Sequence, residues 1–122
     1  MATSPSAARA AADPQLHVLM NMMVASVRSD SPDLTNRQLA VFLKVYLEPG
    51  TDHTVRGLAA ALNVSKPAIT RALDRLEEFE FTKREKDAQD RRSVIARRTP
   101  PGSAYLRTLS GYMSEASKPA KK

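Results

Sequence analysis

Apolar residues recur at helical spacing from Pro14 onward. They fall three or four positions apart, which predicts an amphipathic helix with a stripe formed by Leu16, Leu19, Met20, Met23, Val24 and Val27. Val18 and Met22 lie off this stripe, so the helix is apolar on more than one face. One face is expected to pack on its own domain and the other on a partner, which favours a dimer contact. A deeply buried helix has the same pattern.

Capping signals divide the following part of the chain into three helices. A capping box that begins at Thr35 starts the first of them, and Pro49-Gly50 ends it. Thr54 is the expected cap of a short second helix. Ser65 is the expected cap of the third, which we predict over residues 65–79 and call the recognition helix.

After the recognition helix the apolar period shortens to that of strands. Segments 81–85 and 93–97 are predicted to pair around the charged tip KDAQDRR, and 52–54 is a short extended segment. A last helix begins at Thr99-Pro100, with inward positions at Leu106, Leu109, Tyr112 and Met113. The predicted fold is mainly α (α+β), a winged helix–turn–helix with about five helices and a small antiparallel β-hairpin wing over 83–97.

The same patterns predict the domain organisation. Residues 1–13 are mostly alanine and serine and are expected to form a disordered N-terminal arm. Residues 14–116 form the winged helix–turn–helix domain, including N- and C-terminal dimerisation helices. Residues 117–122 are a basic tail.

The helix–turn–helix itself is indicated by four residues at fixed offsets. Two short helices that cross steeply need a small residue where they approach, and Ala59 meets that need. The turn needs a residue that tolerates a left-handed backbone, which asparagine does better than most, and Asn63 lies there. Val64 and Ile69 are placed to fill the angle between the two helices.

Length and composition restrict the classes of function. The 122 residues provide one core, and the absence of cysteine excludes disulfides and thiolate metal sites. No apolar run is long enough to span a bilayer, and the N-terminus lacks the apolar core of a secretion signal. We therefore expect a cytoplasmic, nucleoid-associated protein with no membrane partner.

The net charge fits either a surface that binds a polyanion or a solubilising surface with a basic tail, and composition alone does not choose between them. The chain carries 19 basic and 13 acidic residues, and the whole excess of +6 lies after Val64. On the recognition helix lysine and arginine can read guanine edges, and the methyl groups of alanine and threonine can contact thymine. The expected contacts of this helix with double-stranded DNA are Ser65, Lys66, Pro67, Ala68, Thr70, Arg71 and Arg75.

The predicted hairpin adds a second basic surface. Its DNA-contacting residues are expected to be Arg84, Lys86, Arg91 and Arg92. An arginine at the tip can enter a narrow minor groove, where the negative potential is concentrated. Carboxylates beside phosphates are repulsive, so an acid such as Asp90 is explained if it braces one of these arginines.

These motifs resemble the MarR (multiple antibiotic resistance regulator) family of winged helix–turn–helix repressors. The resemblance covers Leu34 to about Leu109 and rests on LTNRQLAVFLKVY, LAAALNVSKPAITRALDRLEE, REKDAQDRRSVI and RTPPG. It implies a homodimeric DNA-binding transcriptional regulator in which Arg92 of the wing pairs with Asp74 and Arg91 contacts the minor groove or a phosphate.

The chain departs from the family pattern at three points. Glu80 stands where a glycine is usual and is expected to resist a left-handed helix end, and Arg98 stands where a leucine is usual and is expected to loosen the last helix. About twenty residues follow Thr99, so the usual second C-terminal dimerisation helix is expected to be missing, and a small-molecule effector is left open. The dimer contacts are then expected from Leu16, Val18, Met22, Met23, Leu109, Tyr112 and Met113.

Other functions find less support in the sequence. His17 and His53 are the only histidines, neither has an acid at ligand spacing, and no glycine-rich phosphate loop is present. The protein is therefore expected to be neither an enzyme nor a metal or cofactor binder. A non-specific architectural DNA binder and a protein-binding winged helix remain as alternatives.

Overall fold

The computed structural model describes residues 5–48 and 52–118. The helices are α1 (Pro5–Ala11), α2 (Pro14–Arg28), α3 (Asn36–Leu47), α4 (Val55–Leu62), α5 (Lys66–Glu78) and α6 (Pro100–Ala116). The strands are β1 (His53–Thr54), β2 (Thr82–Lys86) and β3 (Val94–Arg98), which form an antiparallel sheet in the order β1-β3-β2. The mainly α winged helix–turn–helix fold is confirmed.

The predicted caps begin the helices. Thr35 forms the capping box of α3, with its Oγ1 accepting from Gln38 N at 3.1 Å and its own N–H donating to Gln38 Oε1 at 2.9 Å. Thr54 and Ser65 accept from backbone amides in the first turns of α4 and α5. Helix α3 ends at Leu47, and the predicted stop at Pro49-Gly50 lies outside the described residues.

Residues 34–106 form one compact unit around a largely apolar core. Its most deeply buried side chains are Phe42, Leu58, Ile69, Leu73, Leu76, Val41 and Val45. The ring of Phe42 stacks on Tyr46 at 4.5 Å between centroids and meets Tyr105 edge-on at 5.3 Å. Helices α3, α4 and α5 are therefore fixed against the sheet and the start of α6.

The turn between α4 and α5 has the predicted backbone. Asn63 adopts φ 53° and ψ 47°, and Val64 N donates to Ala59 O at 3.0 Å. Ala59 is buried, as the close approach of the two helices requires. The helix–turn–helix read from the sequence is thus present, with its turn residue in the left-handed region.

The end of α5 differs from the expectation at Glu80. Glu80 adopts φ 62°, the left-handed conformation that we expected glutamate to resist. Phe81 N donates to Leu76 O at 2.9 Å, and Thr99 Oγ1 donates to Glu80 O at 2.6 Å. These bonds and the burial of Phe81 hold the helix end closed despite the unfavourable side chain.

A tyrosine hydroxyl joins α3 to the start of α6. Tyr46 Oη donates to Phe81 O at 2.7 Å and accepts from Thr99 N at 3.0 Å. Gly102 passes so close to Tyr46 that a Cβ there would collide with the hydroxyl. Arg98, expected to loosen this junction, instead donates from Nε to Val45 O at 3.0 Å and places its guanidinium 5.7 Å from the Tyr46 ring.

The sheet has one more strand than the predicted hairpin. Strand β1 pairs with β3 through His53–Ala96 and Thr54–Ile95, where only a short extended segment was predicted. Strands β2 and β3 each begin one residue later than predicted. Their register opposes Thr82 to Arg98 and Lys86 to Val94, so the hairpin tip is the segment between Lys86 and Val94.

Residues 5–33 and 107–118 are the described part of a second compact unit. Residues 5–11 form α1, where the sequence predicted a disordered arm; residues 1–4 of that arm and residues 119–122 of the predicted tail lie outside the described residues. Ser31 Oγ and Tyr112 Oη hydrogen-bond at 3.0 Å. None of the described helices is long and apolar enough to cross a membrane.

The structure decides which face of α2 is buried. Met22 and Leu109 of α6, both expected at a dimer contact, are buried in the single chain. The stripe from Leu16 to Val27 is exposed, from 41% at Met23 to 62% at Val27, and includes the expected dimer contacts Leu16 and Met23. Periodicity identified the helix but not its inner face, because both faces of α2 are apolar.

Candidate nucleic-acid interface

The first turns of α5 present a polar and basic surface. Lys66, Pro67 and Arg71 are exposed, and Thr70 is half-buried. Ser65 Oγ accepts from Ala68 N at 3.2 Å, so the hydroxyl caps the helix. Neither Lys66 nor Arg71 forms an ion pair with any described residue, and their charges are available to a ligand.

Ala68 is not part of this surface. Its relative exposure is 4%, and it continues the buried stripe of Ile69, Ala72, Leu73 and Leu76 toward the start of the helix. The prediction that Ala68 faces the groove is therefore wrong. Its position four residues before Ala72, on the same helix face, was the signal in the sequence that would have shown this.

Arg75 lies on the exposed side of α5 but is engaged locally. Its Nη1 pairs with Glu78 Oε2 at 2.5 Å, and its guanidinium lies 4.7 Å from the centre of the Phe79 ring. Both charged side chains are about half exposed, at 49% and 59%, so the pair is weak. Arg75 is held at the C-terminal end of the helix, away from the first turns.

The tip of the hairpin is an ordered turn built by its aspartates. Asp90 Oδ1 accepts from Arg92 N at 3.0 Å, and Asp90 O accepts from Ser93 N at 2.9 Å. Asp90 thus braces the backbone of the tip rather than an arginine side chain. Lys86, Arg91 and Arg92 are exposed and form no ion pair with the described residues.

Arg84 of β2, and not Arg92, is the partner of Asp74. Arg84 Nη2 contacts Asp74 Oδ1 at 2.5 Å, and Arg84 Nε donates to Glu77 Oε2 at 2.8 Å. The backbone N–H of Arg84 also donates to Glu77 Oε1 at 2.9 Å. The predicted pair of Arg92 with Asp74 is wrong. Arg84 lies on β2, and its side chain reaches α5, whereas Arg92 lies at the tip of the hairpin.

We call this cluster of Asp74, Glu77 and Arg84 the wing clamp. The hydrogen bond to Glu77 raises the pKa of the Arg84 guanidinium above its ordinary value. Glu77 was not singled out in the sequence, although its spacing of three from Asp74 places both carboxylates on one side of α5. The clamp joins the recognition helix to the wing, which is β2, β3 and the tip between them.

In the part of the chain that the structure describes, no group of three or more histidine, aspartate or glutamate side chains could hold a metal ion. The described surface at α5 and the wing offers cations, hydroxyls and backbone amides, which are the groups that bind phosphates and base edges.

Comparison with known proteins gives the family. The model of the MarR family matches residues 34–94, which run from just before α3 through α4, α5, β2 and the tip of the hairpin to the first residue of β3. The chain belongs to the MarR family. A comparison with curated protein sequences finds no significant match.

Solved structures of MarR-type regulators share the fold. A DNA complex of MepR from S. aureus is 21% identical, with 90% of this chain and 84% of that chain covered and a TM-score of 0.68. A transcriptional regulator from Thermotoga maritima is 21% identical, with 88% and 72% covered and a TM-score of 0.71. MarR itself is 28% identical, with 84% and 69% covered and a TM-score of 0.60. As a MarR-family protein the chain is a DNA-binding transcriptional regulator.

Proposed function

We propose that this MarR-family protein binds double-stranded DNA sequence-specifically as a homodimer, with α5 in the major groove and the wing on the adjoining minor groove. The observation that carries the proposal is the set of cations that the fold leaves without a partner among the described residues. Lys66 and Arg71 lie on α5, and Lys86, Arg91 and Arg92 lie on the wing.

The exposed residues of α5 suit base recognition. Arg71 is long enough to present two N–H donors to the O6 and N7 atoms of a guanine, and Lys66 can donate to the same atoms. Thr70 provides a hydroxyl and a methyl group beside them. The buried Ala68 makes no base contact in this proposal, which leaves Arg71, Lys66 and Thr70 as the residues that discriminate between sequences.

The wing supplies affinity. Because Arg84 is bound to Asp74 and Glu77, its charge is compensated within the protein and contributes little to phosphate binding. Arg91 and Arg92 carry no such compensation and are both available at the tip. Both therefore contact the minor groove or its phosphates. The resemblance to the family had implied that Arg91 alone makes this contact and that Arg92 pairs with Asp74.

The homodimer is supported by the exposed apolar face of α2. Leu16, Leu19 and Met20 lie on one stripe of this helix and are each about half exposed. Contiguous apolar surface on a monomer marks an interaction site. We propose that a second copy covers this stripe, with Met23, Val24, Val27 and Met113 as further contacts, and that the dimer reads an inverted repeat with half-sites about 10 bp apart.

The solved structure of MepR in complex with DNA supports DNA binding by this chain. A protein that binds duplex DNA in this way is associated with the nucleoid. The alternatives differ in sequence preference: an architectural binder holds all duplexes through phosphates, and a protein-binding module holds none.

The test is a titration of duplexes followed by fluorescence anisotropy at several salt concentrations. A duplex selected from a random pool is compared with a scrambled duplex of the same composition. We expect the selected duplex to bind at least 1,000-fold more tightly, on the order seen for specific regulators. Equal affinities would favour the architectural function, and no binding at moderate salt would exclude both DNA functions. A light-scattering mass tests the homodimer.

A further inference from the structure

The recognition helix, the wing and the start of α4 enclose a groove of about 510 Å³. Val55 and Arg56 of α4, Lys66 and Thr70 of α5, and Arg92 of the wing are among the residues that line it. All of them belong to the compact unit of residues 34–106. The groove is therefore a feature of a single folded body.

The lining of this groove is strongly basic. It includes five cationic side chains, those of Arg56, Lys66, Arg84, Lys86 and Arg92, and the one carboxylate of Glu85. Arg84 is compensated by the wing clamp. Glu85 is also compensated, since its carboxylate contacts Arg97 Nε at 3.2 Å and Lys83 Nζ at 3.4 Å. Four cations thus remain without a counter-charge among the described residues.

A second cleft of similar size on the same unit has a different balance. It measures about 520 Å³ and includes the cations Lys83, Arg97 and Arg98 and the carboxylates Glu48, Asp52 and Glu85. Arg97 bridges two of these carboxylates, with Nη1 2.8 Å from Asp52 Oδ1. Uncompensated positive charge is therefore a property of the first groove and not of every concave surface on this protein.

The geometry of a DNA duplex explains what the first groove would hold. The sugar–phosphate backbone of one strand separates each major groove from the adjoining minor groove. When α5 lies in the major groove and the wing on the minor groove, this backbone must pass between them. The surface between α5 and the wing is the groove lined by the four uncompensated cations.

We infer that the groove takes the backbone of one DNA strand and that Arg56 of α4 is a phosphate-binding residue. The inference rests on the proposed DNA binding and deepens it. Arg56 is exposed in the first turn of α4 and forms no ion pair with the described residues. Its guanidinium can donate two parallel N–H bonds to one phosphate. The sequence did not single it out because it precedes the recognition helix.

The test measures how the affinity for DNA depends on salt. Each neutralised phosphate contributes about 0.9 to the slope of log K against log salt concentration. Arg56→Gln is expected to reduce that slope by about 0.9 and to weaken the selected and the scrambled duplex by the same factor, because phosphates carry no sequence information. Arg56→Lys is expected to keep the slope, since the charge remains.

Arg37 provides the matched control. It is an exposed arginine on α3 that forms no ion pair with the described residues and does not line the groove. Arg37→Gln removes the same charge from the protein and is expected to leave the slope unchanged. An effect of Arg37→Gln equal to that of Arg56→Gln would overturn the inference, because net charge alone would then explain both.

The remaining outcomes separate this inference from the proposed function. If the wild-type protein binds the selected duplex and Arg56→Gln has the wild-type slope, Arg56 is not a phosphate contact and the proposed function stands. A loss confined to the selected duplex would also overturn the assignment, since Arg56 would then read bases. If the wild-type protein binds no duplex, the proposed function itself fails.

Discussion

The side chain of Arg84 on β2 is bound to the carboxylate of Glu77 on α5, with Arg84 Nε 2.8 Å from Glu77 Oε2. The same carboxylate accepts a hydrogen bond from the backbone N–H of Arg84 at 2.9 Å. Strand β2 lies at the edge of the sheet, so Glu77 provides a partner for a backbone N–H of the edge strand. One glutamate therefore fixes both the side chain and the strand of the wing to the recognition helix. We expect the angle between α5 and the wing to depend on this contact.

Glu77→Gln is expected to lower the free energy of unfolding by about 1–2 kcal/mol, because it removes the charge from a hydrogen-bonded, partly buried pair. Both partners are 27% exposed. Hydrogen exchange should speed up at the amides of β2, above all at Arg84. The measurements are chemical denaturation and amide exchange.

Glu78→Gln is the control for this prediction. Glu78 is the next residue of α5, and its pair with Arg75 is exposed. Such pairs contribute at most about 1 kcal/mol, so the loss in the free energy of unfolding should be smaller than for Glu77→Gln. The amides of β2 should keep their protection against hydrogen exchange. Equal losses for the two variants would show that the wing clamp has no special role.

Arg71→Ala is expected to reduce discrimination between the selected and scrambled duplexes by roughly 1–3 kcal/mol, the value of one bidentate base contact. Arg91→Ala is expected to weaken both duplexes alike and to flatten the salt dependence. Anisotropy titrations of both variants measure this contrast. An unchanged preference in Arg71→Ala would remove Arg71 from the reading residues, and an altered preference in Arg91→Ala would refute its phosphate role.

Glu80→Gly is expected to raise the free energy of unfolding by about 0.5–1 kcal/mol. The left-handed backbone at Glu80 costs a non-glycine residue about 1–2 kcal/mol, and part of the gain is offset by the greater freedom of glycine when unfolded. Glu78→Gly, at the last residue of α5, should instead lower the free energy of unfolding, by up to about 1 kcal/mol. Thermal unfolding checks both, and destabilisation by Glu80→Gly would contradict the prediction.

Gly102→Ala is expected to destabilise the protein by about 1–3 kcal/mol, since its Cβ would overlap Tyr46 Oη and Phe81 O and force the start of α6 outward. Gly111→Ala on the same helix meets no atom within 4 Å and should stabilise it by up to about 1 kcal/mol. Denaturation curves of the two variants give the sign of each change in the free energy of unfolding. The same sign for both would show that Gly102 is not a packing requirement.

Thr82→Val is expected to be neutral or to stabilise the protein by about 1 kcal/mol. Thr82 is 2% exposed, and none of the described residues offers its Oγ1 a hydrogen bond. Replacing the hydroxyl by a methyl group removes a buried polar atom at nearly constant volume. Thr35→Val, which removes a helix cap, should cost about 1 kcal/mol in the same assay. If Thr82→Val lowered the free energy of unfolding as much as Thr35→Val, the Thr82 hydroxyl would have a hydrogen-bond partner.

Local features could be predicted because their physical causes are local. The caps at Thr35, Thr54 and Ser65 act on amides within three residues, and the left-handed turn at Asn63 depends on that residue's own side chain. The hairpin could be predicted from the change in apolar period after α5 and from the charged segment between the two strands. These signals also carried the resemblance to the MarR family, which the family match confirms.

The errors concern contacts between distant parts of the chain. Two apolar faces made the inner side of α2 undecidable from its periodicity, and the buried Ala68 was assigned to the DNA surface because its methyl group could contact thymine. The partner of Asp74 was taken from the tip of the wing, whereas the strand itself brings Arg84 to α5. Strand β1 is two residues long and exists only because β3 offers it an edge.

The sequence by itself determined the order of the elements from α2 onward, the helix–turn–helix and the basic character of the surface after Val64, because each depends on residues close together in the chain. Only the tertiary structure decided which cations remain available. Arg84 is compensated by the carboxylates of α5, while Arg92 and Arg56 have no partner among the described residues. The physical reason is that a charge is neutralised by what lies near it in space, and net charge along the chain does not specify that distance.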